Sequence, residues 1–251
     1  MKTQQHSYLH TALFVFFAGV AIAILAGVLP TLQSGEQQVN TPAPRQWNLT
    51  LVNGDNPLPQ TFVPETRAIA DYPERLFDAR AANALEAMLE AARVAGQPLY
   101  LVSAYRSIAY QQGLFRRKVS YYKGLGYADA QADEMAARWV ARPACSEHNL
   151  GLAADIVSAD WYMEHSDLTT DFAQTPTYAW LCENAATYGF IVRYPQGSEE
   201  ITGISFEPWH FRYVGPEAAT EIWDLGLCLE EYLALLDERA QVPPVYEPAF
   251  G

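Results

Sequence analysis

Residues 146–155 read Ser146-Glu147-His148-Asn149-Leu150-Gly151-Leu152-Ala153-Ala154-Asp155. His148 and Asp155 stand seven apart, and Gly151 between them permits a turn or a close backbone approach because it has no Cβ. The residues after the glycine are apolar, so 151–157 is expected to be a short strand bounded by loops. An imidazole and a carboxylate meeting across such a turn could supply two metal ligands. The same pattern also describes a solvated loop histidine ahead of a strand-end aspartate, and spacing alone does not choose.

Working outward, a second unusual segment reads Phe206-Glu207-Pro208-Trp209-His210-Phe211-Arg212-Tyr213. Pro208 has no N–H and biases Glu207 towards an extended conformation. Glu207 and His210 are therefore not bound to strict alternation and could converge on one cleft. The plain alternative is an edge strand with exposed charges. Of the five histidines, His6 and His10 precede an apolar N-terminal run, which leaves His148, His165 and His210. His165 has no motif around it and reads as a surface residue.

Taken together the two segments say more than either alone. Three protein ligands and one open position is the usual plan of a catalytic zinc site. His148, Asp155 and His210 as ligands would leave Glu207 as general base for a water whose pKa the metal lowers. Ser103-Ala104-Tyr105-Arg106-Ser107, at an expected strand-to-helix junction, offers Arg106 to stabilise an oxyanion. Two imidazoles and one carboxylate suit a single zinc ion.

The rest of the chain gives the frame. Apolar spacing predicts helices over 78–94, 107–122, 129–140, 176–188 and 216–239. Asp78 is a candidate N-cap for the first, and Gly226 is expected to break the last. Strands are expected over 47–52, 99–105, 151–157, 190–194 and 204–214. These do not alternate as β-α-β units, which favours an α+β domain with a small, largely antiparallel sheet flanked by helices.

At the N-terminus an unbroken apolar-or-glycine run, 12–29, reads as an uncleaved signal anchor spanning the membrane. The expected organisation is an anchor over 1–30, a linker over 31–45, a catalytic domain over 46–240 and a tail over 241–251. The domain would then be extracytoplasmic, or secreted if the anchor is cleaved. Sixteen Lys and Arg against 29 Asp and Glu give a net charge of -13, which argues against a nucleic-acid partner. Cys145, Cys182 and Cys228 lack C-x-x-C spacing, so zinc-finger and thioredoxin readings fail. An exported domain could pair Cys182 with Cys228, although sequence does not fix connectivity.

These motifs resemble the VanY-like D-alanyl-D-alanine carboxypeptidases, within the wider lysostaphin-type, D-Ala-D-Ala and hedgehog-like zinc group. The family pattern S-x-H-x-x-G-x-A-x-D is met by Ser146, His148, Gly151, Ala153 and Asp155. Its E-P-W-H element is Glu207, Pro208, Trp209 and His210, and its S-x-Y-R element is Ser103, Tyr105 and Arg106. The resemblance runs over about 47–238. It implies His148, Asp155 and His210 as zinc ligands, Glu207 as catalytic base and Arg106 at the scissile carbonyl. Ser146 and Gln111 match positions that hold the substrate's terminal residue, and Ser103 and Tyr105 are carried with them as substrate-binding candidates. Cys145 stands where relatives usually carry a small or hydroxyl residue.

The activity this implies is removal of the terminal D-Ala from peptidoglycan stem pentapeptides or their lipid-linked precursors. L,D-carboxypeptidase action on tetrapeptide stems is the near alternative. A non-catalytic wall-binding module is the reading from another class; it predicts loss of one of His148, Asp155, Glu207 or His210, and all four are present. A Cys-nucleophile hydrolase is weaker, since neither Cys182 nor Cys228 has a nearby histidine in sequence.

Overall fold

The computed structural model describes residues 46–241. The expected anchor, the linker and all but the first residue of the tail lie outside the described residues. In chain order come strands β1 (Thr66–Ile69) and β2 (Tyr72–Asp78), helix α1 (Ala82–Val94), β3 (Leu99–Ser103), α2 (Ile108–Gly124) and α3 (Asp129–Ala137). There follow α4 (Glu147–Leu150), β4 (Ala153–Ser158), α5 (Ala159–Glu164), α6 (Pro176–Asn184), β5 (Phe190–Val192) and α7 (Glu199–Thr202). The last elements are β6 (His210–Tyr213), α8 (Pro216–Leu225) and α9 (Leu229–Gln241). Strands β3-β4-β6-β5 form an antiparallel sheet in that order, and β1 and β2 form a separate hairpin. The architecture is α+β, with helices around small antiparallel sheets.

Helix α1 forms because Leu85, Met88, Leu89 and Ala92 fall on one face, and all four are buried. Burying each large apolar side chain contributes about 1.5–3 kcal/mol. Gly96, at φ 74°, turns the chain away after the helix, and Pro98 precedes the next strand. Asp78 does not cap this helix. It closes β2, and its carboxylate accepts from Arg80 Nε and Nη2 at 2.9 and 2.6 Å; Ala81 sits at the N-cap without a side-chain bond. Helix α2 does have its cap, the Ser107 hydroxyl accepting from Tyr110 N at 3.1 Å. Gly226, at φ 65°, separates α8 from α9 as expected.

Two other expectations change, and the cysteine question left open by the sequence is answered. Residues 47–52 are not a strand: Trp47–Leu49 is a 3₁₀ turn, because the carbonyls of Asn48 and Thr50 accept from Arg212 at 3.0 and 2.9 Å instead of from a neighbouring strand. Of the extended run 204–214, only His210–Tyr213 is strand; Pro208 cannot donate to a ladder, and His210 N donates back to Glu207 O at 3.1 Å in a turn. All three cysteines are free thiols, so Cys182 and Cys228 do not pair.

Strand β4 lies between β3 and β6, and Ala153 through Val157 are all buried. Its register places Asp155 opposite His210 on one side and, after a bulge between Leu101 and Ser103, opposite Ser103 on the other. Directly opposed residues project to the same face with Cβ atoms about 4.5–5.5 Å apart. The sheet therefore sets a carboxylate and an imidazole side by side. Gly151 provides the approach to β4: at φ 83°, its Cα lies so close to Pro64 that an added Cβ would sit 3.3 Å from Pro64 Cγ.

Phe211, next to His210 on β6, is 0% exposed. Phe211→Ala is expected to cost about 3–5 kcal/mol in urea unfolding; a loss below about 1 kcal/mol would contradict this placement.

Candidate metal centre and its cleft

His148 enters from α4, a single helical turn whose N-cap Ser146 accepts from His148 N at 3.3 Å. His148 Nδ1 lies 2.6 Å from the carbonyl of Ala104. A carbonyl only accepts, so Nδ1 carries the hydrogen and Nε2 presents its lone pair. That Nε2 lies 3.2 Å from Asp155 Oδ1. His210 Nδ1 lies 3.3 Å from the same oxygen. The two rings stand edge-on at 85° with centroids 4.8 Å apart.

Three electron-pair donors thus crowd together, one from each of His148, Asp155 and His210, all within 4.8 Å of one another and all buried. Such a cluster is self-repulsive unless a proton or a cation sits among its members. Without a metal the protons divide unequally. Burial, with the nearby Arg106 charge, pushes His148 down to about 4. At His210 burial is overcome by the Asp155 and Glu147 carboxylates, which hold it up at about 9. Asp155 is held well below the usual carboxylate range: burial opposes this, and His148 and Arg106 outweigh it. Two imidazole nitrogens and one carboxylate oxygen are the donor set a zinc ion takes, with a further position open to the cleft. The residues present fit the metal.

Glu207 Oε2 lies 3.5 Å from His210 Nδ1. Burial pushes its carboxyl up to about 8, into the range where it can exchange protons near neutral pH. Arg106 donates through Nη2 to Asp155 Oδ2 and through Nε to Ser103 Oγ, the latter at 2.7 Å. His148, Asp155, His210, Glu207 and Arg106 all line one cleft of about 870 Å³, as do Ser146 and Gln111. Gln111 is anchored by Nε2 on Ala141 O at 2.8 Å, and its buried Oε1 has no partner. Ser103 and Tyr105 do not line this cleft: Ser103 instead holds Arg106, and Tyr105 N donates to Leu76 O at 2.8 Å. Cys145 lies outside the cluster, in the wall of another hollow, and burial raises its thiol pKa. His165 is exposed and stacks on Trp161 with ring centroids 3.8 Å apart.

One group was not read from the sequence. Behind the cluster, the fully buried Glu147 accepts at Oε1 from Arg193 Nε at 2.7 Å and Arg212 Nη1 at 2.6 Å. Burial would raise its pKa, but the two guanidiniums overcome that and hold it charged. Its other oxygen faces His210 Nε2 at 3.9 Å, and neither atom has another partner. Arg193 also pairs with Glu230 at 2.6 Å. The signal was present: arginines at 193 and 212 sit within apolar strand-like runs, where a buried anion is required to accompany them.

Comparison with known proteins agrees with this geometry. The profile of the family described as "VanY: D-alanyl-D-alanine carboxypeptidase" matches residues 74–216. A D-alanyl-D-alanine carboxypeptidase of Enterococcus faecalis (strain ATCC 700802 / V583) is 46% identical over 189 residues, covering 75% of this chain and 66% of that protein. The structure of VanYB in complex with D-alanine-D-alanine is similar at a TM-score of 0.67 and 44% identity, covering 75% of this chain and 98% of that one. A mutant of the vancomycin resistance D,D-pentapeptidase VanY from a VanB-type cassette, in complex with Zn(II), gives a TM-score of 0.65 and 43% identity, with 75% and 99% covered.

Glu147→Ala would strand two buried guanidiniums and is expected to destabilise the fold by about 3–5 kcal/mol. Urea unfolding of the metal-free protein measures this, and a change below about 1 kcal/mol would contradict a charged, buried network.

Proposed function

The chain belongs to the VanY D-alanyl-D-alanine carboxypeptidase family, and from that premise we propose that it is a zinc-dependent D,D-carboxypeptidase removing the terminal D-Ala from peptidoglycan stem pentapeptides. The observation that carries this reading is the convergence of His148, Asp155 and His210 in one cleft with Glu207 beside them. Zinc, when bound, lowers the pKa of water and polarises a carbonyl.

The chain's own residues account for the remaining steps. Glu207 takes a proton from the attacking water and passes it to the amine nitrogen as the C–N bond breaks. The products are a tetrapeptide acid and free D-Ala. Glu207 stands beside the cluster, with Oε2 3.5 Å from His210 Nδ1, and as a carboxylate it can take that proton and, once protonated, return it. Arg106 spends Nε and Nη2 on Ser103 and Asp155, which fixes a positive charge at the cleft wall where the carbonyl oxygen gains negative charge. The Ser146 hydroxyl accepts from His148 N, so its own O–H is oriented to donate to the substrate's terminal carboxylate. Gln111 Oε1, buried without a partner, is placed to accept an N–H from the terminal residue. Ser103 acts only through Arg106, and Tyr105 has no direct role in this assignment.

The apolar run over 12–29 supports export with a single-pass anchor and an extracytoplasmic catalytic domain over 46–240. None of the described helices is long and apolar enough to cross a membrane, so this rests on sequence outside them. Extraction of cell membranes with carbonate tests it: retention in the pellet agrees, and a soluble chain starting beyond residue 30 contradicts it.

Stem pentapeptide and tetrapeptide, incubated separately with the zinc-loaded protein and followed by mass spectrometry, test the activity. Release of one D-Ala from the pentapeptide is expected, abolished by chelator and restored by zinc. Glu207→Gln is expected to lower kcat by about 10²–10⁴-fold, the range for losing a general base. Trimming of the tetrapeptide alone would move the assignment to L,D-carboxypeptidase, and cleavage of neither would overturn it.

A further inference from the structure

Helix α2 lines the cleft along one stripe, Gln111, Leu114, Lys118, Tyr121 and Tyr122, at the spacing that stacks side chains on one helical face. On the carboxypeptidase reading above, Gln111, with its buried Oε1 unpartnered, marks the end where the substrate's terminal residue is held. Lys118 is seven residues further on, about 10 Å along the axis at about 1.5 Å per residue. Its ammonium stands among three aromatic rings, with Nζ 5.5, 5.8 and 5.9 Å from the centroids of Tyr121, Tyr122 and Trp139. Those rings hold the cation in place and reduce its hydration.

Lys118 makes no close ion pair among the described residues, although its charge is felt by the Glu207 carboxyl in the same cleft. Lys123 pairs with Asp129 at 3.0 Å and Arg142 with Asp133 at 2.5 Å; Arg117 also lines the cleft, but the aromatic frame is around Lys118. Asp167 lines the same cleft without forming an ion pair with Lys118. In a chain of net charge -13, carboxylates abound, and an unpaired lysine framed by aromatics in a substrate cleft is set up for an anion from elsewhere.

We infer that Lys118 is a specificity-determining residue that binds a carboxylate on the acyl side of the scissile bond, about three residues before the substrate's C-terminus. The inference rests on the carboxypeptidase reading above. An extended peptide advances about 3.3–3.6 Å per residue, so about 10 Å from Gln111 corresponds to three residues. In a stem pentapeptide the second residue is a glutamate linked through its γ-carboxyl, which leaves its α-carboxylate free at that distance. A stem in which this group is a carboxamide lacks the charge that Lys118 would meet.

The test compares kcat/KM of the zinc-loaded full chain on two synthetic pentapeptides, one with the free α-carboxylate and one with the α-carboxamide. A third substrate, an N-acetylated tripeptide ending in D-Ala-D-Ala and lacking the glutamate, reports the basic reaction separately. The wild type is expected to prefer the carboxylate about tenfold, the scale of one charge-assisted hydrogen bond. Lys118→Met is expected to bring that ratio near one, and Lys118→Arg to restore it. A variant that merely folds poorly lowers both rates together and leaves the ratio unchanged. A wild-type ratio near one with the tripeptide cleaved, or a Lys118→Met ratio equal to that of the wild type, would overturn the inference alone. Release of D-Ala from none of the three would overturn the carboxypeptidase reading and this inference with it.

Discussion

Both oxygens of the Asp155 carboxylate are committed, and much of the structure exists to hold them so. Oδ1 lies 3.2 Å from His148 Nε2 and 3.3 Å from His210 Nδ1, while Oδ2 accepts from Arg106. The register of β4 against β6 puts Asp155 and His210 on one face, and the Gly151 turn returns His148 from α4 to meet them. A bulge in β3 brings Ser103 into line on the opposite edge, where its hydroxyl holds Arg106. Moving Asp155 by one residue along its strand would send the carboxylate to the other face of the sheet, away from every one of these partners.

Such a site requires buried charge, and buried charge requires partners. The chain answers with a second, fully enclosed set in which Arg193 and Arg212 flank Glu147 and Glu230 supports Arg193. Arg212 also satisfies the carbonyls of Asn48 and Thr50, which ties the start of the described chain to the sheet. The network thus has two consequences. It closes the domain at its N-terminal turn, and it sets a carboxylate against the outer nitrogen of His210. At 3.9 Å that carboxylate acts on the ring through its charge rather than through a hydrogen bond, and a negative charge there raises the imidazole's basicity.

The site was legible in sequence to the extent that its residues fall within short motifs. His148 and Asp155 are seven apart across a glycine, and Glu207 and His210 are three apart across a proline, so local spacing already constrained their geometry. Glu147 escaped notice because its partners are 46 and 65 residues away. The arginines within apolar runs announce that a buried anion accompanies them, but no local pattern encodes which carboxylate it is. The β1–β2 hairpin is hidden in the sequence for a different reason. It lies largely on the surface, with charges through Arg67, Glu74 and Arg75 and a proline at 73, so apolar alternation is lost. Residues 47–52 alternate like a strand, yet their carbonyls face a buried guanidinium. In that segment tertiary hydrogen bonding overrides a strand-like pattern. The long helices are legible because periodic apolar faces such as Leu85, Met88, Leu89 and Ala92 are local features, whereas the short helices α4, α5 and α7 carry too few turns to show a period.

The central claim is that one zinc ion is held between His148, Asp155 and His210. The most direct test is a crystal structure of the zinc-loaded protein with anomalous data collected on both sides of the zinc absorption edge. The account predicts a single anomalous peak within about 2.0–2.2 Å of His148 Nε2, His210 Nδ1 and an Asp155 oxygen, with Glu207 beside it and not bound to it. A peak held by other side chains, or none at this cluster in a protein shown to contain stoichiometric zinc, would contradict it.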